Sequence, residues 1–196
     1  LEELVKQGKI GCYGVSSNTL GFPDTDFSKI SIAQLLNVAT DLSLSHSFKV
    51  VQMPLNCVEP FNLFYELEKT SESDLSFCHK NGLGVLINRP LNGMVNNGLL
   101  RLTQPTVKEE NLTPELKAGF ENWKNLADSM EKIAKMQMEN SFGFENAPLS
   151  QLCLSTLAWC QGVSSVLCGM RKKQYVDDAE EALKRPAVLH AKNIIH

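Results

Sequence analysis

The sequence predicts an α/β fold built on a parallel sheet, and three observations carry that reading. Four apolar runs of strand length, at 12–15, 50–53, 84–88 and 163–168, alternate with longer stretches whose apolar residues recur at helical spacing. Gly, Pro and Asn cluster between them, where the chain has to turn. A chain of 196 residues with 43% hydrophobic content has material for one sizeable core. The alternation resolves into four βα units plus an extra helix before the last strand, in a single domain over residues 1–196.

The chain opens on Leu1-Glu-Glu-Leu-Val-Lys-Gln-Gly8, with Leu1, Leu4 and Val5 on one helical face and Lys6 in the last turn. Gly8 ends the segment as a left-handed residue beyond a helix C-terminus. With no capping residue before Leu1, it reads as the tail of a helix that starts upstream. A buried strand at 12–15 leads to a helix over 32–44, striped by Ala33, Leu36 and Leu44. The strand at 50–53 precedes a helix over 63–81 with Leu67 and Phe77 inward, its continuity weakened by the Ser-rich stretch at 70–76. After the strand at 84–88, Asn96-Asn97-Gly98 and Pro105 break both periodicities and predict a long surface loop over 94–112.

Thr113 is a good N-cap, Pro114 suits the first helical position and Glu115 complements the helix dipole. Leu116, Phe120, Trp123, Ala127, Met130 and Ala134 follow at spacings of four and three, an apolar face for core packing rather than a ligand box. A Gly/Asn/Pro break at 143–148 separates this helix from one at 149–160, with Leu152, Thr156, Leu157 and Cys160 in register. The last strand, 163–168, feeds a last helix at 171–183. The tail at 185–196 carries Pro186 and has room for one short extra helix.

A net charge of -3 gives no broad attraction to nucleic acid or to an anionic membrane. No apolar run approaches the roughly 20 residues of a membrane span, and no charged-apolar-small leader opens the chain, so the expected compartment is the cytosol. Cys12, Cys57, Cys78, Cys153, Cys160 and Cys168 form no Cys-x-x-Cys pair and sit mostly among apolar neighbours, which predicts buried free thiols. His46, His79, His190 and His196 lack metal-ligand spacing and read as surface or terminal residues. Asp177-Asp178 and Glu180-Glu181 read as a solvated face, because adjacent helical residues do not face one another. No P-loop, Gly-x-Gly-x-x-Gly fingerprint or Ser/His/Asp arrangement is present.

Four segments in order carry a family resemblance: Ile10-Gly-Cys-Tyr-Gly-Val-Ser-Ser-Asn18, Val50-Val-Gln-Met-Pro-Leu-Asn56, Gly84-Val-Leu-Ile-Asn-Arg-Pro-Leu91 and Val163-Ser-Ser-Val-Leu-Cys-Gly-Met-Arg171. They resemble the fifth to eighth strands of an aldo-keto reductase, a (β/α)8 oxidoreductase that uses a nicotinamide cofactor. The resemblance covers nearly the whole chain and implies the parallel-stranded C-terminal half of a TIM-type (β/α)8 barrel. A complete barrel typically takes about 250 residues, so half a barrel fits this length. It also implies that the catalytic Asp, Tyr, Lys and His belong to four strands that this sequence does not include.

In these barrels the chemistry lies at the C-terminal ends of the strands. Ser16 aligns with a family Ser that binds the nicotinamide carboxamide, and the Asn beside it is replaced by Ser17, with Asn18 one place on. Ser-Ser-Asn is also ordinary turn and capping chemistry. Gln52 matches a family Gln on the same carboxamide, and a strand-end amide equally suits neighbouring backbone. Asn88-Arg89-Pro90-Leu91 stands where many members have Tyr-Ser-Pro-Leu, so a stacking ring is lost and a cation gained. Arg89 suits either the cofactor pyrophosphate or a loop carboxylate.

The fourth segment is the most telling physically. Met170-Arg-Lys-Lys173 puts three cations at a helix N-terminus, which the macrodipole disfavours unless they face an anion. The resemblance implies that this loop clamps the adenosine 2'-phosphate, ribose and adenine, with Gly169 matching its Gly and Arg171 a phosphate contact. Tyr175 and Asp178 fall where Gln and Glu often occur, and Ala179 replaces an Asn that usually touches adenine. The basic cluster favours NADP (NADPH) over NAD.

The implied function is NADP-dependent reduction of a small aldehyde or ketone, with only the cofactor-binding half present and no turnover by this chain alone. Tyr13, Tyr65 and Tyr175 do not occupy the family's catalytic motif. The alternative is a non-catalytic half-barrel module, regulatory or binding, that self-associates as a homodimer or pairs with a chain supplying the missing half, since four strands leave open edges and an uncovered face.

Overall fold

A computed structural model describes residues 1–22, 25–59, 72–95, 98–103, 113–137 and 147–185. It divides into two compact units, Leu1–Leu55 with Pro60–Asn88 and Gln161–Ser165, and Asn56–Glu59 with Arg89–Cys160 and Val166–His196. Each is taken in turn.

The first unit is built on parallel strands. Helix α1 (Glu2–Lys6) ends before Gly8, whose φ of 67° is the left-handed conformation expected there. Strand β1 (Tyr13–Ser16) pairs with β2 (Phe48–Pro54), and β2 with β3 (Gly84–Asn88). The sheet runs β1-β2-β3-β6, where β6 is Ser165–Val166. Helix α2 (Ile32–Leu42) crosses from β1 to β2, its first turn capped by the Ser31 hydroxyl, which accepts the Gln34 N–H. Helix α3 (Asp74–Lys80) precedes β3 and is capped in the same way by Ser73 on the Ser76 N–H.

Side chains alternate across the sheet, so its two faces differ. Val51, Met53, Val85 and Ile87 are fully buried on one face, in a core that also takes Leu20, Ile32, Leu75 and Cys78. The opposite face carries Gly14, Ser16, Val50, Gln52, Gly84, Leu86 and Asn88, none of them buried. Asp74 is buried at the start of α3, and its Oδ2 accepts the Gly21 N–H at 2.6 Å, tying the loop after β1 to this helix.

The second unit mixes helices with a hairpin. Strands β4 (Asn92–Val95) and β5 (Gly98–Arg101) pair antiparallel, with Asn92 opposite Arg101. Helix α4 (Pro114–Gln137) is followed by α5 (Leu149–Ala158) and, after β6, by α6 (Lys173–Lys184). Helix α5 is buried from Leu149 to Leu157, including Ser150, Gln151, Ser155 and Thr156. A helix buried all round has to satisfy those polar groups internally. Ser155 donates to the Ala182 carbonyl, Thr156 to the Leu152 carbonyl, and Gln151 Nε2 to Asp178 at 2.8 Å. Leu154, Ala179 and Ala182 form an apolar cluster with Leu91, Val166 and Cys168 around it.

Several expectations are corrected. The first strand is not buried: as the sheet edge it is half exposed, and Cys12 lies outside it and open to solvent. Leu44 lies beyond α2 and is 92% exposed, because that helix ends at Leu42. The expected loop over 94–112 begins as the β4–β5 hairpin, in which Val95 lies opposite Gly98. The last strand is only Ser165–Val166, and the last helix starts at Lys173. Cys78, Cys153 and Cys160 are buried, whereas Cys57 and Cys168 are partly exposed, and among the described residues no disulfide joins them. The expected helix at 63–81 is described only as α3, and Leu67, the tail from 186 and residues 104–112 and 138–146 lie outside the described residues. Among the described residues no helix is long and apolar enough to cross a membrane.

Candidate functional site

Two groups of candidate residues emerge, one in each unit. In the first unit, Ser16 and Gln52 are register partners at the ends of β1 and β2, and the Ser17 N–H donates to the Gln52 carbonyl at 3.2 Å. Asn88 ends β3 on the same face as Gln52, and its Nδ2 lies 3.5 Å from the Asn18 Oδ1. Its own Oδ1 is buried and has no hydrogen-bond partner. Ser17 takes the turn role: its hydroxyl accepts the Thr19 N–H at 3.1 Å and meets the Thr19 hydroxyl at 2.9 Å. Ser16, Ser17, Asn18, Gln52 and Asn88 are therefore clustered, with Ser17 already engaged locally.

In the second unit a cavity of about 570 Å³ opens beyond the end of β6. The chain that lines it comes from three places: Arg89 to Asn92 before and within β4, Leu99, Arg101 and Thr103 on the returning strand and after it, and Leu167 to Arg171 with Tyr175. Of the expected residues, Arg89, Pro90, Leu91, Gly169, Arg171 and Tyr175 all reach it. Asp178 does not. Its carboxylate is spent on Ser150 and Gln151, holding α6 to α5, and Ala179 packs in the core.

The electrostatics of this cavity are one-sided. Three arginines line it, and among the described residues no carboxylate does. Arg89 is the committed one: its Nη2 donates to Glu59 Oε1 at 3.1 Å, and Glu59 is almost fully buried. Of the two partners open to Arg89, the loop carboxylate is the one it takes. Glu59 Oε2 also accepts from Asn56 Nδ2 at 2.9 Å and from the Met94 N–H at 3.0 Å. Arg101 and Arg171 are exposed and have no ion-pair partner among the described residues.

The other two cations of the 171–173 cluster find partners within α6 and its cap. Lys173 donates to both oxygens of Asp177, one turn on, which raises the lysine pKa. The Lys172 ammonium stands 5.8 Å from the Tyr175 ring centroid. Only Arg171 is left to face an anion. Helix α6 has no side-chain cap and no acid in its first turn, so its positive dipole end adds to that field. Gly169 is required neither by φ nor by packing, since a Cβ there meets nothing within 4 Å.

Sequence reasoning missed Arg101, Leu99 and Thr103, because the hairpin was not expected; its register places Arg101 opposite Asn92. It also missed Glu59 and Asn56, which lie far from the motif they support. Tyr13 donates to Glu2 Oε1 at 2.7 Å, and that bond pushes its pKa up, the wrong direction for a proton donor tuned to neutrality. Tyr65 lies outside the described residues. Among the described residues no three His, Cys, Asp or Glu side chains gather as metal ligands. No protein-family model matches the chain, and a search of curated proteins finds no match.

Proposed function

We propose that this chain is the cofactor-holding, C-terminal half of an aldo-keto reductase-like barrel that takes NADP and, when completed, serves the reduction of a small aldehyde or ketone in the cytosol. The observation that carries the reading is the acid-free cavity of the second unit. Arg101 and Arg171 supply unpaired cations, while Leu91, Leu99, Leu167, Met170 and Tyr175 supply apolar wall. A ligand that is anionic at one end and flat and apolar beside it, such as a phosphorylated adenosine, matches that combination.

In this reading Arg171 and Arg101 bind phosphate oxygens, Tyr175 offers a ring face and Gly169 allows close approach. The Arg89 guanidinium, tied to Glu59, shapes the wall rather than neutralising the ligand. Taken by itself, the first unit's cluster of Ser16, Asn18, Gln52 and Asn88 offers amide and hydroxyl groups suited to a carboxamide. When bound, the cofactor supplies the hydride; this chain binds and orients. The half-barrel reading also calls for a partner, either a chain supplying the other strands or a second copy.

Titration of the purified chain with NADPH, NADH and 2'-phospho-adenosine diphosphate ribose by calorimetry tests this. Saturable NADPH binding is expected, weakened about tenfold or more by Arg171→Ala, the loss of one charge-assisted contact. Equal affinity for NADPH and NADH would remove the NADP preference. Absence of binding to all three would remove the cofactor reading and leave the non-catalytic assembly module.

A further inference from the structure

We propose that Cys57 and Cys153 form a reversible oxidative modification site, closed to a disulfide by a peroxide. The Cys57 Sγ lies 3.2 Å from the Cys153 Sγ, across 96 residues of chain. The sulfurs need close by little more than an ångström to reach the roughly 2.05 Å of an S–S bond. The two thiols are not equivalent. Cys153 is fully buried on α5, and its contact with Cys57 together with burial holds its pKa well above the ordinary thiol range. Cys57 is partly exposed on the short 56–59 turn.

That asymmetry assigns the roles. The Cys57 thiolate attacks one oxygen of hydrogen peroxide and the O–O bond breaks; the departing hydroxide takes up the Cys57 proton as water, leaving a sulfenic acid. The Cys153 sulfur then attacks the Cys57 sulfur. The S–O bond breaks, hydroxide leaves with the Cys153 proton as a second water, and the S–S bond forms. Two thiols and one peroxide become one disulfide and two waters, and a dithiol reductant reverses the change. Cys78, by contrast, is buried, and its pKa is pushed up to about 12 by burial. None of this depends on the proposed cofactor.

The modification has a structural address. Asn56, next to Cys57, accepts the Val58 and Glu59 N–H groups on its side-chain oxygen and donates to the Arg89 and Asn92 carbonyls. A disulfide would pin to α5 the turn that holds Arg89.

Peptide mapping of the full chain after treatment with a few equivalents of hydrogen peroxide, quenched with N-ethylmaleimide under denaturing conditions, tests the assignment. Cys153, Cys160 and Cys168 share one tryptic peptide, so tandem fragmentation has to separate them. A predominant Cys57–Cys153 link that dithiothreitol removes is expected. Cys153→Ser is expected to abolish the link and leave a dimedone-trappable sulfenic acid on Cys57. Links spread over the six thiols without preference, or none involving Cys57 and Cys153, overturn the proposal whether or not the variant folds.

Discussion

Arg89 holds a backbone conformation that few non-glycine residues adopt, φ 52°, immediately before a proline. Pro90 disfavours the right-handed helical region at Arg89, and the left-handed alternative costs an L-residue roughly 1–2 kcal/mol. What offsets that cost is the buried carboxylate of Glu59, which gathers the Arg89 guanidinium, the Asn56 amide and the Met94 N–H on two oxygens. Removing the carboxylate strands the Arg89 guanidinium and the Met94 N–H, while the Asn56 amide keeps the Arg89 and Asn92 carbonyls. Glu59→Ala is therefore expected to destabilise the chain by about 3 kcal/mol, with a smaller loss for Glu59→Gln, which keeps an acceptor. Urea unfolding of both variants measures it. A change below about 0.5 kcal/mol for Glu59→Ala would mean that the pair is spectator rather than support. None of this was legible from the motif alone. Asn-Arg-Pro-Leu announces a cation after a strand, but the acid that claims it sits 30 residues earlier, and sequence spacing carries no information about such long-range pairing.

The elements were more legible than the pairings between them. Strand and helix periods are local properties, so β2, β3, α4 and α5 were readable to within a few residues. The edge position of β1 was not, because burial of an edge strand is decided by what lies beside it. Gly14 shows what the sequence did encode there. A Cβ at Gly14 would sit 2.0 Å from the Val50 carbonyl oxygen, a backbone atom that no side-chain rotation can move. The glycine thus permits the close approach of β1 to β2 at the register shift after Tyr13. Gly14→Ala is expected to cost about 2 kcal/mol or more and to detach the edge, seen as faster hydrogen exchange at Ser17, whose N–H bonds the Gln52 carbonyl. Unchanged exchange there would place the strain elsewhere. The hairpin is the converse case: Asn96-Asn97-Gly98 and Pro105 read as breakers of both periodicities, which hid a two-stranded element at 92–101.

Binding and chemistry are mismatched in this molecule. The second unit offers an anion-ready cavity with Tyr175 on its wall, while Tyr13 donates to Glu2. A carbonyl reductase needs a proton donor whose pKa is drawn down toward neutrality, and the bond to Glu2 moves Tyr13 the other way. On the proposed half-barrel reading the chain needs further polypeptide to complete it, and the sheet face bearing Val50, Gln52, Gly84, Leu86 and Asn88 is half-buried among the described residues. The purified chain is therefore expected to bind NADPH without oxidising it in the presence of a reactive aldehyde, and to sediment at more than its 21.8 kDa when concentrated. NADPH oxidation in proportion to protein, surviving successive purification steps and lost with Arg171→Ala, would refute the division of labour. A monomer at all concentrations that still bound NADPH would keep the cofactor reading and remove self-association.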